Sequence, residues 1–441
     1  MIVFAGLLLG MFSIGVMQLI LATALPFIVA EIGGGELYSW IFSSYMLASI
    51  FTIPLFSKLA DIYGKKRFFL LGIGVFALGS FAGGFAPDIS HLIAARTIQG
   101  LGAGMITPVS LAMVTDMFPP EKRANMIGTF AFAQLLANLL SPPLGSFITK
   151  ELGWMWIFFL NFGMVILAGL GVAFGAKHQE RKALRKAQEI DLAGGLIFGA
   201  FCTLTVGFSN LLSKRSYWDI TGTLLLLAAI ACAIILFLIE RKHPDPVIKI
   251  DFLKTKIIRS SIISAILAGA IMYGLVTILP LCGIILSKQG FQLDESKLLL
   301  FFMIGISAGL LSSSRLVGKY RFRHFTKLLW VMMLAGAAIM FLTVYSKNLT
   351  FFSISTILVG LCTGGVMATF LINSQNAVNS EDRTVLSGLI QLSRYFGASL
   401  GVTFFTGMLP EVSLISTIGQ FLAPFGLLIS LCLLGLINEL L

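Results

Sequence analysis

The chain has 441 residues, of which 57% are hydrophobic and 12% are charged, and its mean hydropathy is +0.95. This composition is too apolar for a soluble globular protein and is typical of a helical protein that crosses a membrane many times. The net charge of +11 would suggest nucleic-acid binding in a soluble protein. Here, however, the cations fall in short segments between apolar stretches, where they orient a membrane protein, so we expect no nucleic-acid partner.

Windows of apolar residues bounded by charges or turn residues predict fourteen membrane-spanning helices. Most are about 20 residues or longer, the length that crosses a hydrocarbon core of roughly 30 Å. The predicted spans are 3–30, 36–58, 68–86, 90–117, 123–148, 154–176, 191–212, 218–239, 259–287, 296–317, 326–345, 350–378, 385–408 and 414–438. No basic segment precedes the first span, so no signal peptide is expected.

Lysine and arginine are unevenly distributed between the two sides of the predicted membrane. The segments that follow even-numbered spans hold most of them, whereas the segments that follow odd-numbered spans hold only Lys150, Lys214, Arg215, Lys288, Lys297 and Lys347. Because short cytoplasmic loops are enriched in cations, this bias places both termini in the cytoplasm.

A short charged segment, Ser57 to Arg67, separates the second and third spans. Gly64 permits a tight turn, and Asp61 can cap a helix or pair with a cation. The segment resembles the Gly-x-x-x-Asp-Arg/Lys-x-Gly-Arg/Lys-Arg/Lys signature of the major facilitator superfamily, with Ser57 in place of the first glycine and Ile62 in place of the usual cation. The alternative for its three consecutive basic residues is that they only orient the chain.

The resemblance implies a conformational latch made of Asp61, Gly64, Lys65 and Asp116. Asp116 closes the fourth span and can reach Lys65 if the two helix ends meet. In this superfamily such a pair, with Asp61 capping a helix of the other half, holds the outward-open state.

A short internal repeat is present. Glu121-Lys-Arg123 followed by Gly128 recurs 260 residues later as Glu381-Asp-Arg383 followed by Gly388. This favours a transporter built from two parallel halves. Six spans in each half leave two in the middle.

The expected organisation is therefore an all-α polytopic membrane protein of the major facilitator fold, with two six-helix halves and two extra central helices. The predicted parts are an N-terminal bundle at 1–176, a cytoplasmic linker at 177–190, two added helices at 191–239, a second linker at 240–258 and a C-terminal bundle at 259–441. The segments Ile190-Asp-Leu-Ala-Gly194 and Glu240-Arg241, the latter followed by Pro246 and Asp251, resemble the corresponding stretches of the fourteen-span drug:proton antiporters.

Two arginines lie inside predicted spans, where a cation costs about 2.5 to 3.5 kcal/mol on insertion scales. Arg96-Thr-Ile-Gln99-Gly100 is similar to the Arg-x-x-Gln-Gly signature of proton-coupled members, which implies a part for Arg96 in proton coupling. The alternative is a structural arginine bonded to backbone carbonyls. Arg394 lies where the repeat places Gln134, and the same two interpretations apply to it.

Span five carries Asn138-Leu-Leu-Ser141-Pro142-Pro143-Leu-Gly145, which resembles the Gly-x-x-x-Gly-Pro-x-x-Gly-Gly motif of antiporters. Ser141 and Gly145 are small enough for another helix to approach closely, and Pro142 would loosen the backbone so that the span can bend. Simple close packing of helices would use the same residues.

Carboxylates are absent from the centre of every predicted span, and Met17 stands where related drug exporters often carry an aspartate. Protonation must then use acids near the outer ends of spans. The candidates are Glu31, Asp294, Glu295 and Glu411. Acids beside loops are often only solvated, which is the alternative for each of them.

Polar side chains inside the spans are candidates for lining a central substrate cavity. They are Gln18, Thr23, Gln99, Asn138, Asn161, Asn373, Gln375 and Gln391. The 38 phenylalanines and 17 methionines could add an adaptable apolar wall, although such residues also pack or face lipid. The five cysteines lie in apolar segments without metal-ligand spacing, so we expect small core residues and no metal.

Together the resemblance implies a proton-coupled antiporter that exports amphipathic drugs, dyes or antiseptics from a bacterial cytoplasm by alternating access, and not an enzyme. No Gly-x-x-x-x-Gly-Lys-Ser/Thr phosphate loop is present, so the expected energy source is a proton gradient and no cofactor. Expected partners are lipophilic or cationic small molecules, protons and the lipid bilayer of the plasma membrane, and the chain is expected to be a monomer. The alternatives are an exporter of one endogenous metabolite, such as a siderophore, and a non-transporting membrane sensor on the same fold.

Overall fold

The computed structural model describes residues 1–175, 191–214, 220–243, 246, 249–291, 294–316, 322–346, 348–379, 382–410 and 414–440. Within these ranges the regular elements are α-helices and short 3₁₀ segments, and no β-strand occurs. The predicted all-α class is therefore confirmed. The predicted linker at 177–190 lies outside the described residues.

Fifteen α-helices follow one another along the described part of the chain. The first six are α1 (Ile2–Ile32), α2 (Tyr38–Tyr63), α3 (Lys65–Gly84), α4 (Ile89–Met117), α5 (Pro120–Glu151) and α6 (Met155–Gly175). Two more follow, α7 (Leu192–Lys214) and α8 (Ile220–Glu240). The remaining helices are α9 (Ile250–Lys254), α10 (Lys256–Lys288), α11 (Glu295–Leu316), α12 (Phe322–Ser346), α13 (Leu349–Asn376), α14 (Arg383–Gly407) and α15 (Leu422–Leu440).

A helix covers each of the fourteen predicted spans. Among the described residues, thirteen helices are long and apolar enough to cross a membrane. The remaining predicted span is α14, whose serines, threonines, glycines and Arg394 leave no stretch of it apolar enough to count with these thirteen.

One helix start and one short helix differ from the prediction for local reasons. The last span starts at Leu422 and not at residue 414, because Ile418–Phe421 forms a 3₁₀ segment with a capping box between Thr417 and Gln420. The short helix α9 was not predicted, since five residues are too few for a hydropathy window to detect.

Side chains and proline fix several helix starts outside the apolar spans. Asp88 caps α4, because its Oδ1 accepts hydrogen bonds from the backbone N–H groups of Ser90 at 2.9 Å and His91 at 3.0 Å. Asn348 caps α13 in the same way. Pro120 occupies the first position of α5, where a missing N–H costs nothing.

The chain divides into two compact units. The first contains residues 1–205 and 224–248, and the second contains residues 206–223 and 249–441. The dividing line falls inside α7 and α8, so these two added helices do not form a unit of their own.

The two units pair their helices in the same order. In the first, α1 packs against α5 and α6, α2 against α4, and α3 against α4 and α6. In the second, α10 packs against α14 and α15, α11 against α13, and α12 against α13 and α15. The same packing plan therefore occurs twice, as the short repeat at Glu121 and Glu381 indicates.

Close helix contacts in the first unit depend on small residues. A Cβ added to Gly100 of α4 would collide with the carbonyl oxygen of Tyr45, and one added to Gly104 would collide with the hydroxyl of Thr52. The Ser49 hydroxyl of α2 donates to the Gly100 carbonyl at 3.0 Å. This contact brings α2 directly against the helix that carries Arg96.

The cysteines lie among the packed helices as free thiols, in agreement with their predicted place in the core. Four are buried, and Cys232 is half-buried.

Candidate functional site

A single glycine joins α2 to α3. Gly64 has φ 107° and ψ 122°, a backbone conformation that residues with a side chain rarely adopt. Its N–H donates to the Ala60 carbonyl at 3.0 Å, and its own carbonyl accepts from the Phe68 N–H at 3.3 Å. The space around a Cβ would be open, so glycine is required here by the turn and not by packing.

Lys65 joins three helix ends. Its Nζ lies 2.8 Å from Asp116 Oδ2, in the last turn of α4, and 3.5 Å from Asp61 Oδ1, in the last turn of α2. The predicted contact between Lys65 and Asp116 is present. The use of this cluster as a conformational switch stays a prediction, as does the capping of a helix in the other half by Asp61.

Lys66 makes a contact that the sequence did not predict. Its Nζ donates to the Ala173 carbonyl at 2.8 Å, in the last turn of α6. A cation at a helix C-terminus satisfies an otherwise unpaired carbonyl and interacts favourably with the helix dipole. Two of the three consecutive basic residues, Lys65 and Lys66, therefore make specific contacts with other helices of the first unit.

Arg96 is only 1% exposed, and its guanidinium is held on several sides. Nε donates to the Ile41 carbonyl at 3.3 Å, and Nη1 donates to Gln99 Oε1 at 2.8 Å. Its Cζ lies 4.2 Å from the centroid of the Tyr45 ring, which adds a cation–π contact. The bond to a carbonyl fits a structural arginine, and a part in proton coupling stays a prediction.

A buried chain of hydrogen bonds continues from Arg96 through four helices. Gln99 Nε2 donates to the Ser80 hydroxyl at 2.9 Å, and that hydroxyl lies 3.2 Å from Asn161 Oδ1. Asn161 Nδ2 then donates to the hydroxyl and carbonyl of Ser13, at 2.9 and 3.1 Å. All five residues are at most 1% exposed.

The groups at the two ends of this series of hydrogen bonds determine the direction in which the bonds are donated. Arg96 can only donate hydrogen bonds, and a backbone carbonyl can only accept them. The amides of Gln99 and Asn161 must therefore both point their oxygen toward the Arg96 end. Each residue is oriented by its neighbour, so Arg96 is positioned by groups on α1, α3 and α6.

Two of the predicted cavity residues belong to this network. Gln99 and Asn161 are fully buried, and both ends of each amide are engaged inside the first unit. Contact of Gln99 with a substrate stays a prediction. The signal in the sequence was the isolated amide at position 161 of the very apolar α6, which needs a partner on another helix.

The motif in α5 lies against α1. Ser141 Oγ donates to the Ala137 carbonyl at 2.5 Å and lies 3.3 Å from the Val16 carbonyl of α1. A Cβ added to Gly145 would lie 2.5 Å from the Ile20 carbonyl oxygen. Ser141 and Gly145 therefore allow the close approach predicted from the motif, while α5 continues unbroken through Pro142.

The same close contact occurs between α10 and α14 in the second unit. Gly397 and Gly401 occupy the positions that the 260-residue offset assigns to Ala137 and Ser141. A Cβ on either glycine would collide with backbone carbonyl oxygens of α10. The common 260-residue offset of these two pairs is the signal in the sequence that could have predicted this contact.

The other predicted cavity residues lie on four helices. Thr23 is fully buried and bonds to its own helix, and Gln18 and Asn138 are 8% and 5% exposed. In the second unit, Gln375 Nε2 donates to a serine hydroxyl of α14 at 2.9 Å, and Gln391 is half-buried. Their contact with a substrate stays a prediction.

The predicted outer carboxylates have different surroundings. Glu31 is exposed and accepts a hydrogen bond from Trp154 Nε1 at 3.1 Å. Asp294 caps α11, because its Oδ1 accepts from two backbone N–H groups at 2.9 and 3.2 Å. Glu295, in the first turn of α11, is only 3% exposed. Glu411 lies outside the described residues.

Arg394 contrasts with Arg96. It is half-buried in the middle of α14, and its Nε is buried without a hydrogen-bond partner among the described residues. The contact that its guanidinium makes in this part of the chain is with the Tyr395 ring, whose centroid lies 5.5 Å from Cζ. The backbone-carbonyl bonds expected of a structural arginine are not found here within the described ranges.

The family profile of the Major Facilitator Superfamily matches residues 7–402. The chain belongs to the Major Facilitator Superfamily. Membership makes this chain a multi-pass membrane transporter and not an enzyme. Members of this superfamily generally need no bound cofactor.

Curated relatives match along most of the chain. Multidrug resistance protein 3 of Bacillus subtilis is 29% identical over 411 residues, which cover 91% of this chain and 78% of that protein. Multidrug resistance protein Stp of Mycobacterium tuberculosis is 29% identical over 406 residues, which cover 89% and 73%. The multidrug transporter protein MdtP of B. subtilis is 26% identical over 411 residues, which cover 90% and 73%.

Solved structures show the same fold at much lower identity. A D-xylose–proton symporter aligns with a TM-score of 0.68 at 12% identity, and the alignment covers 99% of this chain and 95% of that one. A bacterial homologue of the human lysosomal transporter Spinster aligns with a TM-score of 0.64 at 15% identity and the same coverage. These likenesses identify the major facilitator fold.

Proposed function

We propose that this transporter exports amphipathic drugs, dyes or antiseptics across a bacterial plasma membrane, in exchange for protons and by alternating access. The observation that carries the proposal is the similarity, over about nine-tenths of the chain, to proteins named for multidrug resistance, such as the B. subtilis relative at 29% identity over 91% of this chain. The fold supports it, and so does the resemblance of the segment from Asn138 to Gly145 in α5 to the antiporter motif.

The proposed organisation is that of the fourteen-span drug:proton antiporters. Six-helix bundles at 1–176 and 259–441 flank two added helices at 191–239, and both termini lie in the cytoplasm. The recurrence of one packing plan in two units supports two related halves. The unequal distribution of lysine and arginine supports the orientation.

The energy must come from an ion gradient, since no phosphate-binding loop is present in the sequence. One charge that crosses 100 mV releases about 2.3 kcal/mol, and each tenfold concentration step costs about 1.4 kcal/mol. One proton could therefore sustain a gradient of a neutral substrate of roughly forty-fold per 100 mV. A monovalent cation exchanged for one proton gains nothing from the voltage and would depend on the pH gradient or on a second proton.

Among the three predicted outer carboxylates that the structure describes, Glu295 is the strongest candidate for proton coupling. It is buried, whereas Glu31 is exposed and Asp294 is engaged as a helix cap. We assign Arg96 a part in coupling and the cluster of Lys65 with Asp61 and Asp116 a part in the conformational switch.

The test is gradient-driven accumulation by the purified protein in lipid vesicles with an acidic lumen. Three dyes would be compared: cationic ethidium, neutral Nile red and acidic dansyl-glycine. We expect wild type to accumulate at least one dye, and only with the gradient. Glu295→Gln should abolish accumulation and retain downhill movement, while Glu151→Gln, an exposed acid at the end of α5, should behave as wild type.

Dye movement that is the same with and without the pH gradient would contradict proton coupling. If no dye moves in any condition, multidrug export is wrong, and a screen of endogenous metabolites would test the narrower exporter.

A further inference from the structure

Helix α14 carries a polar stripe on one face. Ser387, Gln391 and Arg394 are spaced at i, i+4 and i+7, which places them on one side of the helix. The stripe begins at the end of α14 that the charge distribution assigns to the cytoplasm. Arg394 lies eleven residues from Arg383, or about 16 Å along the helix axis. The stripe therefore leads from the cytoplasmic surface to the middle of the span.

In the part of the chain that the structure describes, no carboxylate pairs with the cation at the end of this stripe. Arg394 Nε has no hydrogen-bond partner among the described residues, whereas the guanidinium of Arg96 binds a carbonyl, an amide and an aromatic ring. A charged group inside a span is expensive unless protein, water or a ligand solvates it. Arg394 is thus the in-span cation with room for a partner from outside the chain.

The chemistry of the site favours an anion. Arginine keeps its proton in proteins, so Arg394 cannot itself carry the coupling proton. No aspartate or glutamate lies near the centre of a span, which leaves a permanent cation without an in-span carboxylate to offset it. The planar guanidinium matches a carboxylate through paired hydrogen bonds, and the Gln391 amide one turn away can add a donor.

We propose that Arg394, with Gln391, binds the carboxylate of an amphipathic substrate. The inference rests on the proposed export function and makes it more specific, because it names acidic amphiphiles as the preferred substrates over cationic drugs. At the position that the repeat makes equivalent to Arg394, the first unit has Gln134, so the site belongs to the second unit alone.

The test compares two probes that differ in one charge, dansyl-glycine and dansyl-glycinamide. Binding to the full-length protein in nanodiscs is measured by dansyl fluorescence, and transport of the same probes is measured in vesicles. We expect wild type to bind the acid more tightly than the amide. Arg394→Gln should weaken binding of the acid by about tenfold and leave binding of the amide within about twofold.

Two further variants make the result specific. Arg394→Lys keeps the charge and should retain part of the preference for the acid, because it loses the planar fork but not the attraction. Arg315→Gln removes an exposed arginine from the last turn of α11 and should change nothing. Unchanged binding of the amide to Arg394→Gln shows that this variant is folded.

Equal affinity of wild type for both probes would overturn the proposal, and so would an Arg394→Gln variant that weakens both probes alike. If Arg394-dependent binding of the acid is found but neither probe is transported, the binding site stands and the export function falls.

Discussion

One ammonium group, that of Lys65, holds the start of α3 to the ends of α2 and α4. Its pair with Asp116 is partly exposed, at 23% and 33% of the two side chains, so we expect a modest coupling energy of about 0.2 to 1 kcal/mol. Lys65→Ala and Asp116→Asn should each loosen the contact between these helix ends, and the double variant should add little to either. Asp61→Asn should have less effect, because Asp61 is farther from Lys65 and more exposed.

The free energies of unfolding of wild type, the two single variants and the double variant test this prediction as a double-mutant cycle. Hydrogen exchange of residues 61–68 reports the loosening directly. Strictly additive effects would show that the ion pair contributes nothing to holding these helix ends.

Two buried serines provide a matched test of the network around Arg96. Ser80 and Ser110 are both fully buried, and each bonds to the carbonyl four residues earlier. Only Ser80 also accepts from Gln99. Ser80→Ala would leave that amide N–H unpaired, at a cost of about 1 to 3 kcal/mol, whereas Ser110→Ala should cost less than about 1 kcal/mol.

Unfolding free energies in detergent measure this difference, and the arginine reagent phenylglyoxal tests its effect on Arg96. We expect faster modification of Arg96 in Ser80→Ala than in Ser110→Ala. Equal stability and equal modification of the two variants would show that the network does not position Arg96.

At the scale of single residues, contacts at helix ends were more predictable than contacts inside the bundle. Lys65 and Asp116 could be paired from sequence because both lie at the ends of consecutive spans on the same side. The contact between Ser80 and Asn161 depends on how α3 and α6 are rotated about their axes. Hydropathy does not specify that rotation, so the network appeared only in the structure.

At the scale of elements, the stability of the contact between α10 and α14 should be sensitive to one added methyl group. Gly401→Ala would place a Cβ against backbone atoms of α10, and separating the helices should cost about 1 to 3 kcal/mol. Gly388→Ala, on the same helix, meets open space and should be neutral or stabilise the helix by about 0.5 to 1 kcal/mol. Melting temperatures that shift in the same direction for both variants would contradict this description of the contact between α10 and α14.

The cap of α4 gives a pH-dependent prediction. Hydrogen bonds from His91, first from its backbone N–H and then from its side chain, lower the pKa of Asp88 below its usual value. A carboxyl whose pKa is lower in the folded state stabilises that state above its unfolded pKa, and the contribution is lost as the pH falls through the folded pKa. Asp88→Ala should therefore melt below wild type at pH 7, and the difference should shrink below about pH 4.

Melting curves across this pH range test the cap, with Asp88→Asn as the control, because asparagine can still cap but does not titrate there. A difference that is independent of pH would mean that the charge of Asp88 does not matter.

Helix positions were predictable because the bilayer demands long apolar segments with satisfied backbones. Helix α14 was still found, although it has no strongly apolar stretch, since charges and turn residues bound it on both sides. The start of α15 was not, because no charged residue separates the 3₁₀ segment Ile418–Phe421 from the helix that follows it. The pairing of the helices could be determined only from the structure, where glycines such as Gly401 lie between helices that approach each other closely.

For the whole molecule, the architecture could be predicted from the sequence more fully than the mechanism. A repeat of a few residues at an offset of 260 predicted two related halves, and both units pair their helices in one order. The bonding of the two in-span arginines could not be derived from their positions. Among the described residues, the guanidinium of Arg96 has hydrogen-bond partners and Arg394 Nε has none, and this difference separates a positioned internal charge from a candidate site for a ligand.

The exchange of protons for substrate is the central claim, and simultaneous flux of both tests it most directly. Vesicles that contain the purified protein and a pH-sensitive lumenal dye would receive a gradient of a transported substrate and no pH gradient. We predict that substrate moving down its gradient drives protons in the opposite direction at a fixed ratio, well above the flux in protein-free vesicles. Substrate flux through the wild-type protein without opposing proton flux would contradict the account.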